Sequence, residues 1–275
     1  MLLWSSLVPK DTSISEMRRK DLMRPPQVFV YPGFITEAEG RSLVEEAGRR
    51  LKRRRFENGH WDSVITGYRE IEFSTPDDQY PQQGLDIENG ATVPPYVKAI
   101  QRTRSHLENH HFNSRGDCAD AFSNNIRWLP CHAIDLSANG ELKPHVDSVK
   151  FSGKVVAGIS LLSDAIMRLR PSAKEWESEE KDTNHSAVLG ASDRYVDLYL
   201  PKLSLYVLSG MSRYSFTHEL LPSNTTFEYM EKKCMLCQHE DKGAEVVEKN
   251  GCENKSIDVL RGRRLSIIFR DAKKV

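Results

Sequence analysis

Two periods of hydrophobic residues divide the chain. Val28-Phe29-Val30-Tyr31 is a short apolar run stopped by Pro32-Gly33, and it reads as a first strand. Thr36 and Glu39 form a capping-box pair, each side chain able to satisfy an exposed donor at a helix start. The helix predicted after them places Leu43, Val44, Ala47 and Leu51 at helical spacing. Tyr96 to His111 repeats that spacing through Val97, Ile100 and Leu107. From residue 126 the period changes. Short runs rich in β-formers recur at 126–136, 155–162, 194–200, 203–208 and 264–269, separated by Gly140, Gly153, Pro171, Pro201 and Gly210. A helical front half followed by closely spaced strands implies a mainly β fold, with helices packed on one side of a sheet sandwich or barrel.

The stretches without a period set the expected boundaries. Pro25-Pro26 closes a leader over 1–26, because a residue before proline is pushed out of helix. Residues 27–271 then read as a single domain. The proline-rich 74–95 reads as loop, and the polar segments 172–193 and 222–258 read as surface insertions between strands. The basic run Arg49 to Arg55 ends the first helix, where cations suit the macrodipole. It serves either as a solvated face or as a phosphate-binding patch.

Composition narrows the classes. With Lys+Arg and Asp+Glu both at 39, net charge argues neither for nor against nucleic acid. No apolar run approaches the ~20 residues of a membrane span. Met1-Leu2-Leu3-Trp4 is too short and lacks the basic lead of a secretory signal. Residues 10–24 are basic but include Asp11, Glu16 and Asp21, which suits a disordered leader better than a matrix-targeting presequence. Five cysteines without a secretory signal imply free thiols in a reducing compartment. Cys234, Cys237 and Cys252, with His239, carry the ligand types of a Cys₃His zinc site. The fifteen-residue gap from Cys237 to Cys252 and the closeness of His239 favour an unmetallated, disordered loop, with nothing apolar around to hold it together.

The most informative segment is Lys143-Pro144-His145-Val146-Asp147-Ser148. In a strand, i and i+2 share a face, so His145 and Asp147 can hold adjacent corners of an octahedral ion. A second histidine from another strand would complete a 2-His-1-carboxylate triad, with three sites left for cosubstrate and oxygen. His218 lies in the alternating Tyr214-Ser215-Phe216-Thr217-His218-Glu219 and can project inward. Arg264 and Arg270 frame Leu265-Ser266-Ile267-Ile268-Phe269, and their even spacing puts both guanidiniums on one face. Guanidinium in a barrel interior needs an anion, and a dicarboxylate matches it bidentately. Each feature alone has a plainer reading: a surface His–Asp pair, a half-buried structural histidine, a surface strand end.

Together the residues carry a resemblance. The order His-x-Asp, His, Arg-x5-Arg resembles the AlkB family of 2-oxoglutarate dioxygenases. "DLSANGELKPHVDSVKFSGKVVAGISLLSDAIMRLR", "LSLYVLSGMSRYSFTHEL", "RGRRLSIIFR" and the earlier "HWDSVITGYREIE" are similar to its mitochondrial seventh-homologue branch. The similarity covers roughly 28–73 and 126–271. It implies a double-stranded β-helix (jelly-roll) core, with His145, Asp147 and His218 as Fe(II) ligands and catalytic residues. It implies Arg264 on the distal carboxylate of 2-oxoglutarate, Arg270 nearer the carboxylate bound to iron, and Tyr206 hydrogen-bonded to the cosubstrate. Read without the family, Tyr206 is a core aromatic. Many relatives place Asn-x-Tyr eleven and nine residues before the metal histidine, where this chain has Ile134 and Leu136; Tyr206 offers a substitute contact.

The resemblance further implies that O₂ and 2-oxoglutarate are consumed, with succinate and CO₂ released, as a protein or alkylated RNA substrate is hydroxylated or oxidatively demethylated. It implies a mitochondrial matrix location. The branch lacks the long nucleotide-recognition lid of the repair members, so stable DNA binding is not expected. The other class of function that fits is a regulatory interaction protein that keeps the iron and 2-oxoglutarate fold with little turnover.

Overall fold

The computed structural model describes residues 27–59, 63–75, 93–112, 126–150, 152–172, 195–233 and 251–273. The leader, most of the 74–95 loop and nearly all of the 172–193 insertion lie outside them. In chain order the elements are β1 (Gln27–Tyr31), α1 (Glu37–Leu51), β2 (Ile65–Phe73), α2 (Pro95–Leu107) with a π turn over Glu108–Phe112, β3 (Cys131–His145), β4 (Ser152–Leu161), β5 (Ala165–Pro171), β6 (Val196–Leu200), β7 (Leu205–Ser209), α3 (Met211–Tyr214), β8 (Phe216–Leu220), β9 (Thr225–Lys233), β10 (Gly251–Val259) and β11 (Arg264–Ala272).

The capping box forms as expected. Glu39 N–H donates to Thr36 Oγ1 at 3.2 Å, and Thr36 N–H donates to Glu39 Oε2 at 2.8 Å. Helix α1 then buries Leu43, Ala47 and Leu51. Part of the basic run at its end is paired, because Arg49 and Arg50 both bind Glu46 and Arg50 lies 4.7 Å over the Phe73 ring. Lys52 to Arg55 are exposed.

Nine strands form one antiparallel sheet in the order β1-β7-β4-β11-β3-β8-β5-β6, with β2 beside β3. Strand β3 carries the turn of the roll. His132 to Leu136 pair with β11, whereas Leu142 and His145 pair with β8 along the same edge. Strand β2 follows the other edge. Gly140 therefore lies inside the bending strand, where the sequence places a break. A Cβ there would come within 2.7 Å of the Gly67 carbonyl oxygen and within 2.6 Å of Leu136. The strand passes because glycine has no Cβ. Arg261 Nη2 donates to the Gly140 carbonyl at 2.7 Å and ties the bend to the start of β11.

Alternation along the strands separates two cores. Val155, Ala157 and Ile159 of β4, with Leu265, Ile267 and Phe269 of β11, pack beneath the helices. Val156, Tyr206, Leu208 and Ile268 face the other way, onto Met167, Leu169 and Leu220 of the second layer. The architecture is a double-stranded β-helix, a jelly roll with its helices on one side.

The ends of the 222–258 insertion are strands that the sequence reading did not assign. They pair antiparallel as β9 and β10, with Phe227 opposite Ile257 and Thr225 opposite Val259. Phe227 and Val259 are buried against Ile166 and Leu221, and Tyr229 and Ile257 add to the cluster. The apolar residues that hold this ribbon alternate with polar ones, so local composition conceals them. Cys234, Cys237 and His239 lie outside the described residues, and Cys252 stands opposite Lys232 in the ribbon's backbone register.

Candidate metal and cosubstrate site

His145 ends β3, and its placement depends on an irregularity. Leu142 pairs with Leu220 and His145 with His218, so three residue steps on β3 match two on β8. This one-residue bulge at Lys143-Pro144 suits a proline, which has no N–H to give the ladder. It also sets His145 directly across from His218. Asp147 is not in the strand, contrary to the pleat argument from sequence. It follows in the irregular segment after His145, and the turn, not strand alternation, brings its carboxylate back.

The three side chains converge. His145 Nε2 lies 3.8 Å from Asp147 Oδ1, and His218 Nε2 lies 3.9 Å from Asp147 Oδ2. The imidazole centroids are 4.2 Å apart. Among the described residues this is the one group of three or more such side chains whose ligand atoms all fall within 4.8 Å. Adjacent corners of an octahedron with bonds of about 2.1 Å lie about 3 Å apart, so modest closure around an ion suffices.

The protonation states suit a metal. His145 Nδ1 donates to the Lys143 carbonyl at 2.9 Å, which leaves Nε2 as the free acceptor. Burial pushes the His218 imidazole down to about 4, against the opposing pull of Asp147, so it is neutral near pH 7. Burial alone would raise the Asp147 carboxyl. His218, His145, Arg213 and Arg270 outweigh that and hold it below the usual carboxylate range.

The arginines of β11 share the interior with the triad. Arg264 is buried. Its Nε donates to Ser160 Oγ at 3.2 Å, and the buried Tyr206 phenol lies close enough to interact electrostatically with its guanidinium. Burial lowers its pKa, with Tyr206 partly compensating. Tyr206 is raised, first by burial, and stands beside Ser266. Its ring lies over Gly158, where a Cβ would approach within 2.6 Å, so a larger residue would displace the phenol. Ile134 and Leu136, at the Asn-x-Tyr positions, supply only apolar interior surface.

Arg270 is held by residues the sequence reading missed. Its Nη2 donates to His132 Nδ1 at 3.0 Å and lies 3.5 Å from Glu72 Oε1. Arginine is always a donor, so His132 Nδ1 accepts, and the proton sits on Nε2, facing Glu70 Oε2 at 2.8 Å. His132 has the same alternation as Ile134 and Leu136, which is the signal that would have placed it in the interior. Arg213 is the other omission. It hydrogen-bonds the Asp147 carbonyl at 3.0 Å, and the sequence signal was an arginine five residues before the second histidine.

Arg264 Nη2 and Arg270 Nε are buried nitrogens without a partner among the described residues. An unpaired buried donor costs about 1–3 kcal/mol. Two such donors on one interior face fit an anion with two carboxylates, and the neutral histidines with the carboxylate fit a divalent ion.

No family model matches the chain. It is 34% identical over 202 residues to the mouse (Mus musculus) protein "Alpha-ketoglutarate-dependent dioxygenase alkB homolog 7, mitochondrial", covering 73% of this chain and 70% of that one. The cattle (Bos taurus) protein of the same name is 33% identical over 199 residues, covering 72% and 69%. A prolyl-4-hydroxylase structure from Pseudomonas putida superposes with a TM-score of 0.45 at 13% identity, covering 93% of this chain and 96% of that one. The chain belongs to the AlkB family of α-ketoglutarate- (2-oxoglutarate-) dependent dioxygenases.

Proposed function

We propose that the chain couples decarboxylation of 2-oxoglutarate to hydroxylation or oxidative demethylation of a protein or alkylated RNA substrate in the mitochondrial matrix. One molecule of O₂ supplies one atom to succinate and one to the substrate, with CO₂ as the other product. The observation that carries this reading is the meeting, in one interior, of the His145–Asp147–His218 group with two guanidiniums that hold unpaired donors. The location rests on the names of the relatives.

His145, Asp147 and His218 would hold Fe(II), which when bound supplies the site for O₂ activation. Arg264 and Tyr206 would grip the distal carboxylate of 2-oxoglutarate, and Arg270, braced by His132, would attract its other end. The Lys143 carbonyl fixes the tautomer of His145, and the apolar wall of Val156, Leu208 and Ile268 excludes water from the reacting atoms.

Succinate release on incubation with Fe(II), 2-oxoglutarate and air, followed by mass analysis of methylated RNAs and organelle protein extract, tests it. Loss of a methylene unit or gain of an oxygen atom on one class is the expected result. Tight 2-oxoglutarate binding with no succinate formed, alone or with either class, would overturn the reading in favour of an interaction protein.

A further inference from the structure

We infer that Arg213 is a positioning residue for the metal centre: its guanidinium fixes the segment that presents the Asp147 carboxylate, and thereby sets the affinity for a divalent ion. This rests on reading His145, Asp147 and His218 as the ligands.

Arg213 is 2% exposed, and among the described residues it is the largest side chain so fully buried. It belongs to α3, the short turn that leads into β8 and His218. Its Nη1 donates to the Asp147 carbonyl at 3.0 Å, and its Nη2 donates to the Ser148 carbonyl at 3.1 Å and to Ser152 Oγ at 2.6 Å. The Ser152 hydroxyl in turn donates to the Ser148 carbonyl at 2.7 Å. Residues 146–148 lie beyond the end of β3, so strand pairing does not hold these carbonyls. One side chain therefore links the segment carrying Asp147 to the turn that leads into the strand carrying His218.

The choice of acceptors is what points to a metal. A guanidinium placed on the Asp147 carboxylate would occupy the lone pairs an ion needs. Here the contacts go to peptide oxygens, and the carboxylate oxygens stay turned toward the two imidazoles. Seating of α3 does not depend on Arg213 alone. Tyr214 Oη donates to the Gly153 carbonyl at 2.9 Å, and Ser212 Oγ donates to the Ser209 carbonyl at 2.8 Å.

Mn(II) binding to the metal-free full chain, followed by the electron paramagnetic resonance signal of free Mn(II), tests the inference. Arg213→Lys keeps the charge but cannot span both carbonyls and the serine with one ammonium. Arg213→Gln removes the charge as well. Both should weaken Mn(II) binding about ten- to a hundredfold, the usual effect of losing a group that orients a ligand. The melting temperature of the metal-free lysine variant should stay close to wild type. So should its metal-free affinity for 2-oxoglutarate. Tyr214→Phe cuts a different bond of the same turn and should bind Mn(II) like wild type. Ser152→Ala, which removes only the bridging hydroxyl, should give a smaller loss and serves if the glutamine variant does not fold.

Wild-type Mn(II) affinity in Arg213→Lys, or a loss that Tyr214→Phe reproduces, would overturn the role. If His145→Ala and Asp147→Ala also retained Mn(II), the ligand assignment itself would be wrong, a separate failure.

Discussion

Replacing Arg264 by methionine separates what the residue does for the fold from what it does for the cosubstrate. Arg264 is 5% exposed, and its charge has no carboxylate partner, its one hydrogen bond going to Ser160 Oγ. A buried charge without a counter-ion is a burden on the metal-free, ligand-free fold. Methionine has similar reach and no charge, and exchanging buried charge for apolar volume is often neutral or stabilising by about 1–4 kcal/mol. Against this stands one lost hydrogen bond, worth about 1 kcal/mol. Net stability should therefore change little. Binding should not be so tolerant. A carboxylate of 2-oxoglutarate placed in this interior without its arginine loses about 3–5 kcal/mol, as broken buried ion pairs do. That is about two to three and a half decades in the dissociation constant.

The assay is thermal or denaturant unfolding with and without millimolar 2-oxoglutarate. Wild type gains stability with the logarithm of ligand over dissociation constant. The variant should unfold near the wild-type point without ligand and gain almost nothing from it. A variant that kept the ligand-dependent gain would refute the assignment of Arg264. One that unfolded several degrees lower without ligand would refute the claim that the fold does not need the charge.

His145→Ala, Asp147→Ala and His218→Ala should each abolish succinate release while retaining the far-UV circular dichroism of the fold; wild-type release from any of them removes that residue from the ligand set. Gly158→Ala should lose about 1–3 kcal/mol of stability, the usual cost of overpacking, and bind 2-oxoglutarate more weakly, because its Cβ meets the Tyr206 ring at 2.6 Å. Equal denaturant midpoints would show that the phenol can move aside. Burial holds His218 and His111 down to about 4, whereas free imidazole titrates near 6.5. Between those values the unfolded chain binds protons the folded metal-free chain refuses. Stability should thus fall by about 2 kcal/mol or less per histidine from pH 7 to 5, and a flat profile contradicts it. Fluorescent fusions of the full chain and of one lacking residues 1–24 should part, with only the former in mitochondria; identical cytosolic signals would sink the location.

What the sequence made legible was whatever follows from spacing within one element. Arg264 and Arg270 are six apart on a regular strand, so their shared face was calculable, and α1 follows from its capping box. The failures came where the backbone leaves its period. Asp147 reaches the histidines through a bulge and a turn. Gly140 marks a bend within β3, because the obstacle is Gly67 on another strand. Strand β2 was not assigned, and the β9–β10 ribbon is held largely by residues whose partners, Ile166 and Tyr199, lie elsewhere in the chain. Such pairings are set by tertiary register and are absent from any local window.

The arginines show the limit most clearly. Arg213 and Arg264 are both buried in the β-rich half, near the same carboxylate and phenol respectively, and nothing in their neighbours' identities separates them. Their roles divide on how many acceptors the chain itself supplies. Arg213 places both terminal nitrogens on oxygens of the 147–152 segment, and so its charge organises backbone. Arg264 makes one such bond, to Ser160 Oγ, and keeps a terminal nitrogen without a partner among the described residues, which leaves a donor free for the anion proposed above. The partners of these two buried guanidiniums are distant in sequence, because a buried donor is satisfied by whatever the fold brings across the interior. Chemistry at this site is therefore readable as a set of residue types from the sequence, and as a division of labour only from their acceptors.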